Sequence, residues 1–177
     1  MDVVELSHLI HNYSKDIYGF CYKLTGDKHQ ADDLYQETFL KATELCHKID
    51  KAQNPKGFLI SLSANIWKNQ WRKFGWRHRI ANIVAFQDDF NNESSIRDIS
   101  TPETILVDNE LYTMVNMALD SLSDKLKIPM YMYYTAGMSV EEIASGLKIP
   151  AGTVKSRLYK GRREVKKYLE GEGYEGF

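Results

Sequence analysis

Three stretches of this chain hold residues whose type and spacing can do chemistry. Between Asn65 and Ile80 lie Lys68, Arg72, Lys73, Arg77 and Arg79 with no acid, interleaved with Trp67, Trp71, Phe74 and Trp76. Such a mixture suits unpaired nucleic acid, because an unstacked base lies on an aromatic ring while cations hold the phosphates. Spacing alone fits a tryptophan-rich core seam with exposed charges equally well. Between Lys148 and Tyr168, the cations Lys148, Lys155, Arg157, Lys160, Arg162, Arg163, Lys166 and Lys167 face only Glu164. Placed on one side of a helix, they suit the phosphates and base edges of a duplex, or else a solvated basic surface. The third stretch exposes Asp32, Asp33, Gln36, Glu37, Lys41 and Glu44. Paired carboxylates first suggest acid–base or metal chemistry. Yet no histidine sits at helical spacing on that face, no glycine-rich phosphate loop occurs anywhere, and consecutive Asp32 and Asp33 point about 100° apart on a helix. With Leu40 beside it, the face suits docking against a basic partner, a solvated face being the commoner outcome of such a pattern.

Other chemistries find little support. Cys21 and Cys46 have no CxxC spacing and no nearby His/Cys set, so zinc, other metals and redox chemistry are not expected, and both read as small apolar packing residues. His8, His11, His29, His47 and His78 are scattered, and nothing suggests a Ser/His/Asp triad. No cofactor is expected. The apolar runs are too short for a membrane span, and the start MDVVE lacks the charged-then-apolar layout of a signal peptide. A cytoplasmic protein with no direct membrane insertion is therefore expected.

Positioning these stretches is a matter of helices. The 177 residues amount to one domain or two small ones, and 43% apolar with 27% charged residues is an ordinary globular composition. Leu6, Leu9, Ile10, Tyr13, Ile17, Phe20, Cys21 and Leu24 form one helical stripe that ends at Gly26. Ala31, Leu34, Thr38, Ala42, Leu45 and Ile49 form a second. Asn54-Pro55 is an N-cap with proline at the first helical position, opening a third helix toward Phe74 that Gly75 ends or kinks. On that helix Ser61, Asn65, Lys68, Asn69 and Arg72 share a polar face opposite Leu59, Leu62, Ile66 and Phe74.

Net charge is −1, but it is strongly zoned. Between the basic stretches, Ala81 to Glu110 carries seven acids, Asp88, Asp89, Glu93, Asp98, Glu103, Asp108 and Glu110, against Arg97, and reads as an acidic linker. Thr101-Pro102 repeats the cap-plus-proline start, and Val107, Leu111, Met114, Val115, Ala118, Leu119 and Leu122 mark a fourth helix. Ser123 is placed to cap a further helix, where Pro129 predicts a kink or a later start. Ser139 to Glu142 has capping-box spacing, Lys148-Ile149-Pro150 makes a tight turn, and Val154, Leu158, Val165 and Leu169 give the last helix an inward stripe. Two helices joined by so short a turn describe a helix-turn-helix, with Thr153, Lys155, Ser156, Arg157, Lys160, Arg163 and Lys167 on the face left over. The tail GEGYEGF is expected to fray. No strands and no internal repeats are expected, so the fold class is all-α: two small helical domains joined by an acidic linker, the second containing the helix-turn-helix.

These residues resemble the short bacterial sigma factors of the extracytoplasmic-function (ECF) group, which recruit RNA polymerase to promoters. LTGDKHQADDLYQETFLKA, Leu24 to Ala42, looks like that family's segment for binding core polymerase, with Asp33, Leu34, Gln36, Glu37 and Phe39 at the motif positions and Asp32 and Leu40 beside them. Pro55 to Arg79 is similar to its helix for melting and reading the minus-ten element, which the resemblance assigns to Ser61, Asn65, Lys68, Asn69, Trp71, Arg72 and Lys73. MSVEEIASGLKIPAGTVKSRLYKGRREVKKYL is similar to its helix-turn-helix for the minus-thirty-five element, implying DNA contacts from Gly152, Thr153, Lys155, Ser156, Arg157, Lys160 and Arg163. Asn69 stands where many relatives carry aspartate, and Lys148 where glycine is frequent in the turn.

The resemblance implies domains at residues 1–80 (core binding and minus-ten recognition) and 103–170 (minus-thirty-five recognition), a linker at 81–102 and a flexible tail at 171–177. It implies core RNA polymerase, single-stranded minus-ten and duplex minus-thirty-five promoter DNA, and a restraining anti-sigma protein as partners, with no catalysis by the chain itself. The rival expectation is a free-standing DNA-binding regulator that uses only the last helix pair.

Overall fold

A computed structural model describes residues 3–49, 54–81 and 109–174, with the side chains of the third helix described through Gln70 and at Arg72. The expected connector, the Thr101-Pro102 helix start and the end of the tail lie outside the described residues.

The first unit is a bundle of three helices. Helix α1, Val3–Thr25, buries Leu6, Ile17, Phe20, Cys21 and Leu24 and stops at Gly26, whose φ of +66° favours a residue without a Cβ. Asp27 caps α2, Lys28–Glu44, by accepting a hydrogen bond from the Gln30 N–H at 3.1 Å. Along α2 the residues Ala31, Leu34, Thr38 and Ala42 are buried at the three- and four-residue intervals of the sequence pattern. The helix ends before Leu45, and a 3-10 turn, Cys46–Lys48, carries the chain to buried Ile49. Helix α3, Pro55–Ala81, is capped by Asn54, whose Oδ1 accepts from the Gly57 N–H at 2.9 Å. It runs through Gly75 as continuous helix, so that glycine neither ends nor breaks it. Intrahelical hydrogen bonds continue across a glycine at a cost of only about 1 kcal/mol relative to alanine.

Where α2 crosses α3, a polar seam in this core is satisfied internally. Thr38 Oγ1 lies 2.7 Å from the Leu34 carbonyl and 3.1 Å from Ser63 Oγ, which in turn lies 3.0 Å from the Leu59 carbonyl. Burial pushes the neighbouring Cys21 thiol up to about 11, the Ser63 hydroxyl pulling weakly the other way.

The second unit wraps three helices around a fourth, α7. Helices α4, Asn109–Asp120, α5, Asp124–Met130, and α6, Val140–Leu147, all pack on α7, Ala151–Gly171, which buries Val154, Leu158, Gly161 and Leu169. A Cβ on Gly161 would lie 2.9 Å from Met130 Cγ, so this glycine lets α5 and α7 approach closely. The proline expected to kink or delay α5 does something different. Pro129 sits inside the helix, and the next five residues, Tyr131–Thr135, form a π-helix closed by Ala136 N–H donating to the Tyr131 carbonyl at 3.0 Å. Without an N–H of its own, Pro129 weakens the regular ladder there, and the wider turn follows directly.

Helices α6 and α7 form the helix-turn-helix, and the expected capping box is present in both directions. Glu142 N–H donates to Ser139 Oγ at 3.2 Å, and Ser139 N–H donates to Glu142 Oε2 at 2.7 Å. In the turn Lys148 takes a left-handed conformation, φ 55° and ψ 50°, and closes α6 through N–H donation to the Ser145 carbonyl at 3.2 Å. The turn geometry is thus kept although a side chain occupies the strained position.

One buried cluster runs through both units, from Leu6 and Phe20 to Val154 and Leu158. The units meet mainly where α3 packs on α6, with a smaller contact between α1 and the π-helix.

Two outcomes follow. Replacing Lys148 with glycine is expected to relieve roughly 1 kcal/mol of backbone strain and raise Tm by about 2–4 °C in a thermal melt, with alanine giving no such gain. Titration with a thiol reagent is expected to modify Cys46, which is partly exposed, and to leave Cys21 unmodified until denaturant is added.

Candidate nucleic-acid interface

The last helix has the clearest division of faces. With Val154 and Leu158 turned inward, Gly152, Lys155, Ser156, Lys160 and Arg163 are exposed, while Thr153 and Arg157 are half-buried at the edges. Ser156 Oγ donates to the Thr153 carbonyl at 2.9 Å, fixing its rotamer at the first turn. Arg163 lies over the Tyr159 ring at 5.9 Å, and the Arg162 guanidinium reaches the Tyr134 hydroxyl at 3.3 Å. Tyr134 and Tyr159 are both exposed, and composition and spacing gave no reason to place these aromatic residues beside the cationic face. Tyr134 lies on the π-helix, a segment that periodicity does not describe.

Helix α3 is divided along its length. Lys68, Asn69 and Arg72 are exposed, as the polar face requires. Ser61 is only 8% exposed and Asn65 is half-buried, because α6 lies on them. One Asn65 Nδ2 contact reaches the Ser61 carbonyl at 2.9 Å and another the Gly146 carbonyl of α6 at 2.8 Å. Trp67 is buried, in keeping with the packing alternative for at least one of the indoles, and its side chain faces Asp124 at the start of α5. Burial raises the Asp124 carboxyl above its ordinary range, with Lys127 and Trp67 acting in the opposite direction. The side chains of Trp71 and Lys73 lie outside the described residues.

On α2, Asp33, Gln36 and Glu37 are exposed and Leu40 is 71% exposed, an apolar side chain flanked by carboxylates. Gln70 of α3 donates to Glu37 Oε2 at 2.6 Å, and the Tyr18 hydroxyl of α1 donates to Asp32 Oδ1 at 2.8 Å. That hydrogen bond to Asp32 raises Tyr18 above its usual phenol range, with desolvation adding to it. Tyr18, Tyr35 and half-buried Phe39 stack edge to face beneath the acidic surface, at 5.5 and 4.4 Å between ring centroids. Leu34, at a motif position of the expected docking set, lies beneath this surface. It is fully buried with Ala31 and Thr38, where it seats the helix in the core.

Two family models match the chain, Sigma-70 region 2 over residues 9–77 and Sigma-70 region 4 over residues 112–165. Among curated proteins, the chain is 30% identical over 158 residues to the ECF RNA polymerase sigma factor SigW of Bacillus subtilis, covering 89% of this chain and 84% of that one. It belongs to the ECF sigma factors. The ECF RNA polymerase sigma factor SigE of Mycolicibacterium smegmatis is 29% identical over 161 residues, which are 91% of this chain and 60% of that relative's length. Among solved structures, the sigma factor RpoE of Bartonella quintana, in complex with the anti-sigma factor NepR, superposes with a TM-score of 0.73 at 22% identity, covering 95% of this chain and 98% of that one. Matches to both units, in order, disfavour the free-standing regulator, which needs only the last helix pair. Among the described residues no helix is long and apolar enough to cross a membrane.

Proposed function

We propose that this chain acts in the cytoplasm as a promoter-specificity subunit of RNA polymerase: it binds the core enzyme and selects where transcription begins. The observation that carries this reading is the exposed cationic face of α7, set directly opposite a buried stripe and preceded by a capped helix and a three-residue turn. A rigid helix displayed in this way enters a major groove with its first turns. In the proposed division of labour, Gly152 and Thr153 lie where backbone and hydroxyl approach the groove, with Ser156 and Arg157 nearest the base edges. Lys155, Lys160 and Arg163 hold phosphates of the minus-thirty-five duplex.

The first unit takes the other two tasks. Ser61, Asn65, Lys68, Asn69, Trp71, Arg72 and Lys73 receive the unpaired minus-ten strand, polar groups reading bases while cations and ring faces hold the backbone and the stack. Asp33, Gln36, Glu37 and Leu40 dock on core polymerase, with Asp32 held by Tyr18 at the edge of that surface and Phe39 supporting it from beneath. An apolar side chain ringed by carboxylates fits a basic partner surface with a small hydrophobic pocket. Residues 1–80 and 103–170 are the two working domains of this reading, with 81–102 as the connector and 171–177 as the tail. Polymer synthesis belongs to the partner enzyme, so this chain contributes positioning and strand capture alone. Restraint by an anti-sigma protein is part of the proposal, supported by the complex in which the RpoE neighbour was solved.

The deciding experiment is run-off transcription with core polymerase over a promoter library, in which this chain is expected to direct selective initiation. Asp33→Ala combined with Glu37→Ala is expected to weaken polymerase association about ten-fold or more while leaving the helical circular dichroism unchanged. Undiminished association would remove α2 from the docking role. Lys160→Ala is expected to weaken duplex binding and to lower the slope of log affinity against log salt by about one, the signature of a single lost phosphate contact.

A further inference from the structure

Two of the outward carboxylates of α2 are tied to other helices, and by the same device. The Tyr18 hydroxyl of α1 donates to Asp32 Oδ1 at 2.8 Å, and Gln70 of α3 donates from Nε2 to Glu37 Oε2 at 2.6 Å. Each donor is electrically neutral and takes one oxygen of its carboxylate. Among the described residues, no hydrogen bond or ion pair engages Asp32 Oδ2 or Glu37 Oε1. Both donors are themselves placed by packing: Tyr18 meets Tyr35 edge to face at 5.5 Å between ring centroids, and Gln70 is half-buried on α3. Asp32 also stands in the wall of an open groove of about 460 Å³, lined with Ser14, Lys15, Tyr18, Tyr35 and Gln36, so an incoming side chain has room beside it. At about 100° per residue, Asp32 and Glu37 stand about 140° apart around α2, with Gln36, Leu40 and Asp33 between them. The two ties therefore fix both edges of the acidic face.

We infer that Tyr18 and Gln70 are positioning residues for docking, a role that rests on the assignment of α2 to core polymerase. Neutral donors from α1 and α3 hold Asp32 and Glu37 each by one oxygen and leave the charge and the second oxygen to cationic groups of the core enzyme. A carboxylate on a flexible stem loses rotamer freedom when a partner orders it, and ordering it beforehand removes that cost from association. A cation in the donor's place would fix the geometry equally well, but it would also neutralise the charge that attracts a basic surface. Glu44, farther along the same helix, shows that arrangement, paired with Lys41. A phenol and an amide orient a carboxylate without neutralising it. Contacts to a partner are made by Asp32 and Glu37, and Tyr18 and Gln70 act only through them, as supporting groups do around a preorganised binding surface.

Tyr18→Phe removes one hydroxyl and keeps the ring, while Gln70→Met removes the amide and keeps length and helix propensity. Association of each labelled full-length variant with core polymerase is measured by fluorescence anisotropy without DNA, and a thermal melt of each checks the fold. Each variant is expected to bind core about three- to ten-fold more weakly at an unchanged Tm. A residue that acts through a carboxylate has no effect once that carboxylate is gone. Tyr18→Phe is therefore repeated in an Asp32→Ala background and Gln70→Met in a Glu37→Ala background, where both losses are expected to vanish, whereas a contribution from packing would persist. Gln70→Lys, which keeps a donor beside Glu37 but adds a positive charge, is expected to bind core more weakly than the natural chain. Each residue is judged by its own cycle: undiminished affinity, or a loss that persists without the carboxylate, overturns its positioning role. Natural affinity in Gln70→Lys overturns the need for a neutral donor. If Asp33→Ala combined with Glu37→Ala binds core as tightly as the natural chain, the docking assignment itself fails. That result differs from one in which the carboxylates matter and their ties do not, which sinks the positioning role alone.

Discussion

Helix α3 is the member on which the rest of the structure depends, because it must satisfy two neighbours at once. Its Leu59, Ile60, Ser63 and Ala64 are buried in the first unit, while Ser61 and Asn65 lie under α6 of the second. A helix has room for both, since residues one or two positions apart project to different sides. The close approach at Gly146 makes the second contact tight enough to place Asn65 in hydrogen-bond range of a helix end that would otherwise bond only to water.

The acidic and cationic surfaces are held in place by quite different means. On α2 the outward carboxylates rest on an aromatic support, with Tyr18 fixing Asp32 by a hydrogen bond and Tyr35 and Phe39 filling the space beneath. On α7 the cations are set simply by where Val154, Leu158 and Leu169 point, since three buried aliphatic side chains fix the rotation of the whole helix. The first arrangement gives a surface with one defined carboxylate geometry. The second gives a rigid rod whose long side chains can still adjust to a phosphate backbone.

Local departures from regular helix are concentrated in the second unit. Pro129 weakens the backbone ladder just before the π-helix that exposes Tyr133 and Tyr134, and Lys148 takes up a left-handed conformation to turn the chain into α7. Both lie next to the recognition helix, and both change the direction in which a side chain or a helix points. Strain of this kind persists where surrounding packing over-determines it, here through Met130, Met132, Ile143 and Leu147 in the shared core.

Much of the fold was legible in one dimension because its signals are local. Three- and four-residue spacing located α1, α2 and α7, Asn54-Pro55 and Ser139 to Glu142 marked two helix starts, and Gly26 marked a stop, each acting through backbone groups a few residues away. The same periodicity told which way Lys155, Lys160 and Leu40 face, and it put Leu34 in a buried stripe even where a motif suggested a docking role. The continuation of α3 through Gly75 and the π-helix after Pro129 were not legible, since a breaker's effect depends on how firmly its neighbours are held. Nor was the burial of Ser61, the use of Asn65 by α6, or the placing of Tyr134 beside Arg162. Those features join residues 81 or 28 positions apart along the chain or bring whole helices together. Short-range pattern thus determined which helices form and which faces they offer, while only the three-dimensional packing decided which of those faces remain open, because burial depends on what the other unit covers.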